Sequence, residues 1–510
     1  MLRSASRWAV VGLAVLVGGA IDAGWVGADD VVDRSFGQDG VALTPGSDDR
    51  GPPGGRQLAV QPDGSIVLVG TTDPTLGNGD LLIARFTADG SPDGTFGANG
   101  VVAADLGGDE QGRSVAVQSD GRIVVAGTTW DAGFVPAAFV ARLDDAGAFD
   151  TAFGDPLVSG QVGSGPRLAG EARDLVVDQA DRITLLSTGA IGVVLARFLP
   201  DGAPDPGFGV AGVVETDEGA DLGWPDSVVL SPHSMAVRAD GSVVVAGSRL
   251  DNTSQNADAV VLRYLPDGTL DAEFGDRGVA SIDRSDGDHA YSVAVQSDSR
   301  ILLTGSTFAG GGPLLARLDL NGSLDPTFGD GGVATIAMDR LGFGTFILTQ
   351  ADDGFLVTSE WRPLGSAPNT YLPPDAAVLR FNSDGSPDSA FGDGGLVTVP
   401  FGDGTSDSAL AAAIQSDERI ILSGMSESGQ SSPGRFLAVA RLRSDPEPVP
   451  STSNPPPTTS PPTTSPPTIG PPAPTLPATG GSGRNGTAVF AAAAILGGVV
   501  LGRIARRRVI

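Results

Sequence analysis

The 510-residue chain has no cysteine. Disulfides, thiolate metal sites and cysteine nucleophiles are excluded, so the fold must be held by its own core. It has no lysine either: all 32 basic side chains are arginine, against 61 Asp and Glu, for a formal charge of −29. Such an acidic body repels nucleic acid and anionic membrane surfaces, which removes both as partners. Histidine is nearly absent. His233 and His289 fall in different repeats without metal-ligand spacing and read as solvated side chains of strand-edge loops. No Ser–His–Asp arrangement and no phosphate-cradling glycine loop can be placed, so no catalytic, metal or cofactor-binding residue is assigned. Helical patterns are scarce and glycine is abundant at 74 residues, which favours a turn-rich all-β body.

The two ends carry export signals. Residues 1–28 read as a signal peptide: Arg3 and Arg7, then the 13 residues Trp8 to Ala20, mostly apolar, then small side chains at Val26-Gly27-Ala28. At the other end Leu476-Pro477-Ala478-Thr479-Gly480 is followed by 18 mostly apolar residues, Asn485 to Gly502, and by Arg503, Arg506, Arg507 and Arg508. Eighteen helical residues rise about 27 Å, enough for a bilayer core. The arginines of the tail, 503–510, would hold that end in the cytoplasm. Residues 446–475 are a Pro/Thr/Ser stalk without material for a core. As polyproline II the stalk would span roughly 90 Å.

This order resembles the LPxTG cell-wall sorting signal of Gram-positive surface proteins. The resemblance implies a sortase partner whose cysteine thiolate attacks the Thr479 carbonyl, and a peptidoglycan amine that releases the thioacyl intermediate. Thr479 would then be the wall attachment, with Leu476, Pro477, Ala478 and Gly480 completing the motif. Membrane contact would be confined to the 485–502 helix before sorting.

Between residues 29 and 445 the chain repeats. The marker Asp-x-x-Phe-Gly has its phenylalanine at Phe36, Phe96, Phe153, Phe208, Phe274, Phe328 and Phe391, spaced by 60, 57, 55, 66, 54 and 63 residues. Each marker precedes four short β signals: Gly100-Val101-Val102, Ser114 to Gln118, Ile123 to Gly127 and Ala138 to Leu143 in one repeat, with an Asp-Gly type turn between the second and third. Four strands in each of seven repeats of about 60 residues is the arithmetic of a seven-bladed β-propeller. The head (L/P)-D-x-x-F-G-x-x-G and middle A-V-Q-x-D-G-x-I-x-x-x-G look like the delta-60 repeat of exported bacterial proteins. That resemblance implies the propeller fold and no agreed activity.

One Arg recurs late in the last strand of each repeat: Arg85, Arg142, Arg197, Arg263, Arg317, Arg380 and Arg441. Eight residues after each of the first six stands the Asp of the next marker: Asp93, Asp150, Asp205, Asp271, Asp325 and Asp388. Seven arginines spread round a ring read as structural partners of those carboxylates. Asp33 and Arg441 are left over at opposite ends of the array, and ring closure would pair them.

Acidic clusters follow the first β signal of several repeats: Asp105, Asp109 and Glu110; Asp217, Glu218 and Asp221; Asp283, Asp286 and Asp288; Asp403 and Asp407. They read as solvated loops. Ca2+ takes six to eight oxygens, of which such loops could supply some, and no cofactor is assigned. Trp130, Trp361 and Tyr371 sit on the most variable connections, where aromatic rings suit glycan stacking or protein capture as well as packing over blade edges. The resulting reading is a wall-displayed head that binds a protein or a glycan. A passive spacer and a glycan-active enzyme using carboxylates at the propeller mouth are its rivals.

Overall fold

The structure is a computed structural model. It describes residues 31–45, 57–72, 79–131, 133–154, 164–189, 192–225, 227–254, 256–284, 287–307, 312–334, 342–362, 373–402, 405–427 and 435–444. The segments read above as signal peptide, stalk, sorting motif and C-terminal apolar helix lie outside the described residues. Among the described residues no helix is long and apolar enough to cross a membrane.

The body is all-β, and its seven sheets are the blades of a propeller. A strand near the N-terminus, β1 (Val41–Pro45), precedes the first blade. Blade 1 is β2 (Leu58–Val60), β3 (Ile66–Thr71), β4 (Leu81–Phe86) and β5 (Val101–Ala104). Blade 2 is β6 (Asp109–Val117), β7 (Ile123–Trp130), β8 (Pro136–Leu143) and β9 (Ser164–Ala169). Blade 3 is β10 (Ala172–Val177), β11 (Ile183–Thr188), β12 (Gly192–Phe198) and β13 (Val213–Asp217). Blade 4 is β14 (Val228–Val237), β15 (Val243–Asp251), β16 (Asn256–Tyr264) and β17 (Val279–Ile282). Blade 5 is β18 (Asp288–Val295), β19 (Ile301–Thr307) and β20 (Gly312–Leu318), its outer edge marked by a single bridge from Ala316 to Val333. Blade 6 is β21 (Phe346–Thr349), β22 (Phe355–Trp361), β23 (Asp375–Phe381) and β24 (Leu396–Val399). Blade 7 joins β25 (Ser406–Ile414), β26 (Ile420–Glu427) and β27 (Arg435–Leu442) to β1, which pairs antiparallel with β27 from Val41↔Ala440 to Pro45↔Phe436.

The first strand of each blade touches the first strand of the next, and β25 touches β2, so the ring is closed. Second and third strands are sandwiched between neighbouring blades and read as continuous apolar runs. Every residue of β3 and β4 is buried.

This topology corrects the phase of the repeat. The strand after each marker is not the first of its own blade; it is the outermost of the blade before. Val101–Ala104 pairs with β4 rather than with β6. The recurrent Arg consequently stands on the third strand of a blade, and the acidic clusters lie between blades rather than within one. The marker caps each blade edge. Its Phe is fully buried in six of seven cases, and Phe153 is nearly so. Burying a Phe side chain is worth about 1.5–3 kcal/mol. Six of the seven rings, all but Phe391, slide under a glycine turn of the next blade. A Cβ on Gly90, which has φ +85°, would lie 2.8 Å from Phe36 Cζ, so that turn needs glycine for both its backbone and its space.

Candidate ligand site at the propeller axis

The first strands carry β-bulges at one repeated place. The register slips between Gly112 and Ser114, Ala172 and Asp174, Pro232 and Ser234, Ala290 and Ser292, and Ala409 and Ala411. A bulge leaves one extra residue unpaired and re-aims its side chain. The extra residues are Arg113, Arg173, His233, Tyr291 and Leu410. The first four stand on consecutive inner strands of blades 2 to 5, so residues about 60 apart in sequence become neighbours round the axis.

Asp174 clips these strands together. Its Oδ1 accepts from Ser114 Oγ at 3.2 Å and from Leu175 N at 2.8 Å. Its Oδ2 accepts from Ser234 Oγ at 3.1 Å and from Met235 N at 3.0 Å. A buried carboxylate engaged by four donors fixes the mutual register of β6, β10 and β14.

Beside this clip the two histidines meet, correcting their reading as separate solvated loop residues. His233 Nε2 and His289 Nδ1 lie 3.3 and 2.8 Å from the same hydroxyl, Ser248 Oγ. Tyr291 meets His233 edge-on at 5.3 Å, stacks on His289 at 5.8 Å and meets Phe343 edge-on at 5.5 Å. Burial, with the Arg173 charge and His289, pushes His233 down to about 3, and burial also lowers His289 against the pull of Asp288. Both rings are therefore neutral at neutral pH. Arg173 pairs with Glu171 at 3.2 Å, and its pKa is lowered by burial and by Arg113 while Glu171 opposes the shift. Arg173 Nε, His233 Nδ1 and both amide atoms of Gln111 are buried without a hydrogen-bond partner among the described residues. Native interiors rarely leave buried polar atoms such as these unsatisfied without water or a ligand. The cluster offers hydrogen bonds and ring faces. Sequence reading missed it because its members share a repeat position rather than a motif; stacking the seven repeats on their Ala-Val-Gln segment places all four in one column.

The recurrent Arg residues all meet the marker Asp. The shortest Arg–Asp distances are 2.7 Å for Arg85–Asp93, Arg142–Asp150, Arg197–Asp205, Arg263–Asp271 and Arg380–Asp388, 2.8 Å for Arg317–Asp325 and 2.9 Å for Arg441–Asp33. Each guanidinium also lies over the marker Phe, 4.3 Å from the ring centre in Arg197–Phe208 and 4.9 Å in Arg441–Phe36. The pair lies within one blade, not between two. Contact with the next blade is made by Nη1, as from Arg142 to Pro200 O at 2.5 Å and from Arg197 to Pro266 O at 2.7 Å.

The acidic clusters are less solvated than their composition suggests. Glu110, Asp288 and Asp407 are fully buried and accept hydrogen bonds from their own interblade loops, such as Phe401 N to Asp407 Oδ2 at 2.8 Å. Glu218 Oε1 accepts Leu230 N, and Asp217 Oδ1 accepts Gly219 N and Ala220 N. Asp286 and Asp403 lie outside the described residues. Trp361 packs partly buried against the Phe328 and Phe355 cluster, and Trp130 is half-buried at the end of β7. Tyr371 lies outside the described residues.

A family model described as a domain of unknown function (DUF5122) β-propeller matches residues 61–96, 118–153, 238–274, 296–328 and 373–391. A model of the LPXTG cell wall anchor motif matches residues 471–510. No curated protein matches the chain. Among solved structures, a catalytically inactive virginiamycin B lyase from Staphylococcus aureus, with quinupristin, is 10% identical, covering 78% of this chain and 98% of its own at a TM-score of 0.43. A polysaccharide lyase is 10% identical, covering 80% and 93% at 0.46. The β-propeller domain of the Trilobed protease from Pyrococcus furiosus is 10% identical, covering 79% and 94% at 0.40. These likenesses concern the fold alone.

Proposed function

We propose that this chain, a cell-wall-anchored surface protein of a Gram-positive bacterium built on DUF5122 β-propeller repeats, captures a glycan at the axis of its propeller. The observation that carries this reading is the convergence of Arg113, Arg173, His233 and Tyr291 from four successive blades beside buried polar atoms that lack partners. Sugars present hydroxyls along their edges and apolar C–H faces above and below. Guanidinium, imidazole and amide groups beside stacked rings match both features. The sorting signal fixes the head to peptidoglycan, where such a site meets extracellular polymers.

A glycan array probed with the labelled chain tests this. Bound glycans are expected, and Tyr291→Ala should weaken them about tenfold, corresponding to a loss of about 1.4 kcal/mol. An array without signal, together with no capture of surface proteins, would leave the passive spacer. Cleavage of a bound glycan would establish the enzyme.

The absence of lysine makes a separate prediction. Sortase-built pilus shafts join subunits through a lysine amine, which this chain cannot supply. Wall digests should therefore show single-copy attachment on a denaturing gel. A ladder of covalent multiples of this chain would refute it.

A further inference from the structure

One junction between blades carries carboxylates without a counter-charge. Asp80 opens β4 of blade 1, and Asp105 and Glu110 flank the crossing from blade 1 to blade 2. Carboxylate oxygens of all three lie within 4.8 Å of one another. None of the three has an ion-pair partner among the described residues. Glu110 is 0% exposed. Its Oε1 accepts from Gly108 N at 2.8 Å and from Thr129 Oγ1 at 2.9 Å, and the Leu106 backbone amide also favours the charged carboxylate, but Oε2 is buried with no partner at hydrogen-bond geometry among the described residues. Thr71 Oγ1, across the strand pair from Leu81, is a second buried oxygen without one. Burial, with Asp105 and Asp109 nearby, holds the Asp80 carboxyl above its ordinary range, and burial does the same to Glu110.

The repeats supply an independent line. Asp80 stands five residues before the recurrent Arg of its blade, and Glu110 stands three before the bulge residue of the next. At the junction of blades 4 and 5 these two places hold Asp258 and Asp288, and at that of blades 6 and 7 they hold Asp375 and Asp407. At the junctions of blades 2 and 3, 3 and 4, and 5 and 6 they hold Ala137 and Gly170, Gly192 and Leu230, and Gly312 and Gly342. The acids are thus present together or absent together. The backbone link is shared: Glu110 N donates to Gly79 O, and Asp407 N to Pro374 O, both at 2.7 Å. Two carboxylates facing each other in a half-dry junction repel, so keeping them as a pair makes physical sense when a cation sits between them.

The other two junctions have compensations that the first lacks. Asp258 has Arg249 at 3.8 Å. Asp407 uses both oxygens, on Phe401 N and Thr405 Oγ1. We infer that Asp80, Asp105 and Glu110 form a Ca2+ site that staples blade 1 to blade 2. An all-oxygen ligand set selects a hard cation, and carbonyls and water would complete the six to eight ligands that calcium takes.

Isothermal titration of the chelator-stripped full-length chain with CaCl2, paired with calorimetric melting, tests the inference. One bound calcium is expected, with a midpoint raised by about 3 °C at saturating ion. Glu110→Gln and Asp80→Asn should each abolish the calcium-dependent rise while melting no lower than the stripped parent, because each relieves the repulsion. That combination separates a metal site from a merely structural acid, whose neutralisation would lower the midpoint with or without calcium. A parent chain that neither binds nor is stabilised by millimolar Ca2+ would overturn the inference, as would a calcium response that survives both substitutions.

Discussion

Asp33→Ala should cost the propeller about 3–5 kcal/mol, the penalty for removing one partner of a buried ion pair. Asp33 is 2% exposed and Arg441 6%. Arg441 Nε and Nη2 both lie 2.9 Å from Asp33 Oδ2, while Ser35 donates to Oδ1 through its hydroxyl at 2.6 Å and its amide at 3.1 Å. The backbones are joined as well: Asp33 N donates to Arg441 O at 2.9 Å and Arg441 N to Gly40 O at 3.2 Å. These residues are 408 positions apart, so this pair, unlike the six internal ones, holds the two ends of the ring together. Its loss should free β1, which in blade 7 has only β27 to pair with. Hydrogen exchange should then quicken across Val41–Pro45 more than after Asp205→Ala, which removes an internal pair. Arg441→Ala should cost at least as much, because Nη1 also donates to Ala88 O of blade 1 at 2.5 Å. The double variant should fall short of the sum of the singles. Strict additivity in denaturant midpoints would show that the two side chains do not act as a pair.

The same geometry sets an acid limit. Burial raises Asp33, but the hydrogen bonds from Ser35 and the charges of Arg441 and Arg419 outweigh it and leave the carboxyl below its ordinary 3.8. Asp93, Asp150, Asp205 and Asp325 are lowered likewise by their hydrogen bonds and arginines. A carboxylate with a depressed folded pKa lends stability that is complete above its unfolded value and is lost as pH falls through the folded one. Stability should therefore decline below about pH 4, and Asp33→Ala should shallow that decline.

The blade count was legible because one physical need recurs seven times. Each blade edge requires a buried ring, a carboxylate for the arginine and a glycine for the turn, and Asp-x-x-Phe-Gly writes all three in five residues. The phase was not legible, since a repeat read along a chain has no natural origin. Only hydrogen bonding decides that Val101–Ala104 belongs with β4. His233 and His289 were misread for a related reason. Inner strands of successive blades are distant in sequence and adjacent in space, so proximity lies in the repeat column and not in the local motif. Asp80 escaped notice because its column is acidic in only some repeats, and its neighbours Asp105 and Glu110 come from the next crossing.

Deleting Leu476–Gly480 should remove essentially all of the chain from the wall fraction. The LPXTG anchor match spans residues 471–510, and covalent linkage to peptidoglycan requires a transpeptidase to recognise that motif. By the chemistry the motif implies, the break would fall after Thr479: a thiolate would attack its carbonyl, Gly480 would leave as the amine, and the wall amine would resolve the thioacyl bond. Without the five residues nothing offers the thiolate an acyl donor, and the apolar segment 485–502 remains attached to the head. The protein should move to the membrane fraction or, after proteolysis, to the medium. Thr479→Ala in the intact motif should lower wall recovery while leaving the head folded, so a melting curve matching the parent separates failed sorting from failed folding. Equal recovery of parent and deletion chains from muramidase-solubilised wall would show that another feature of the chain carries the attachment.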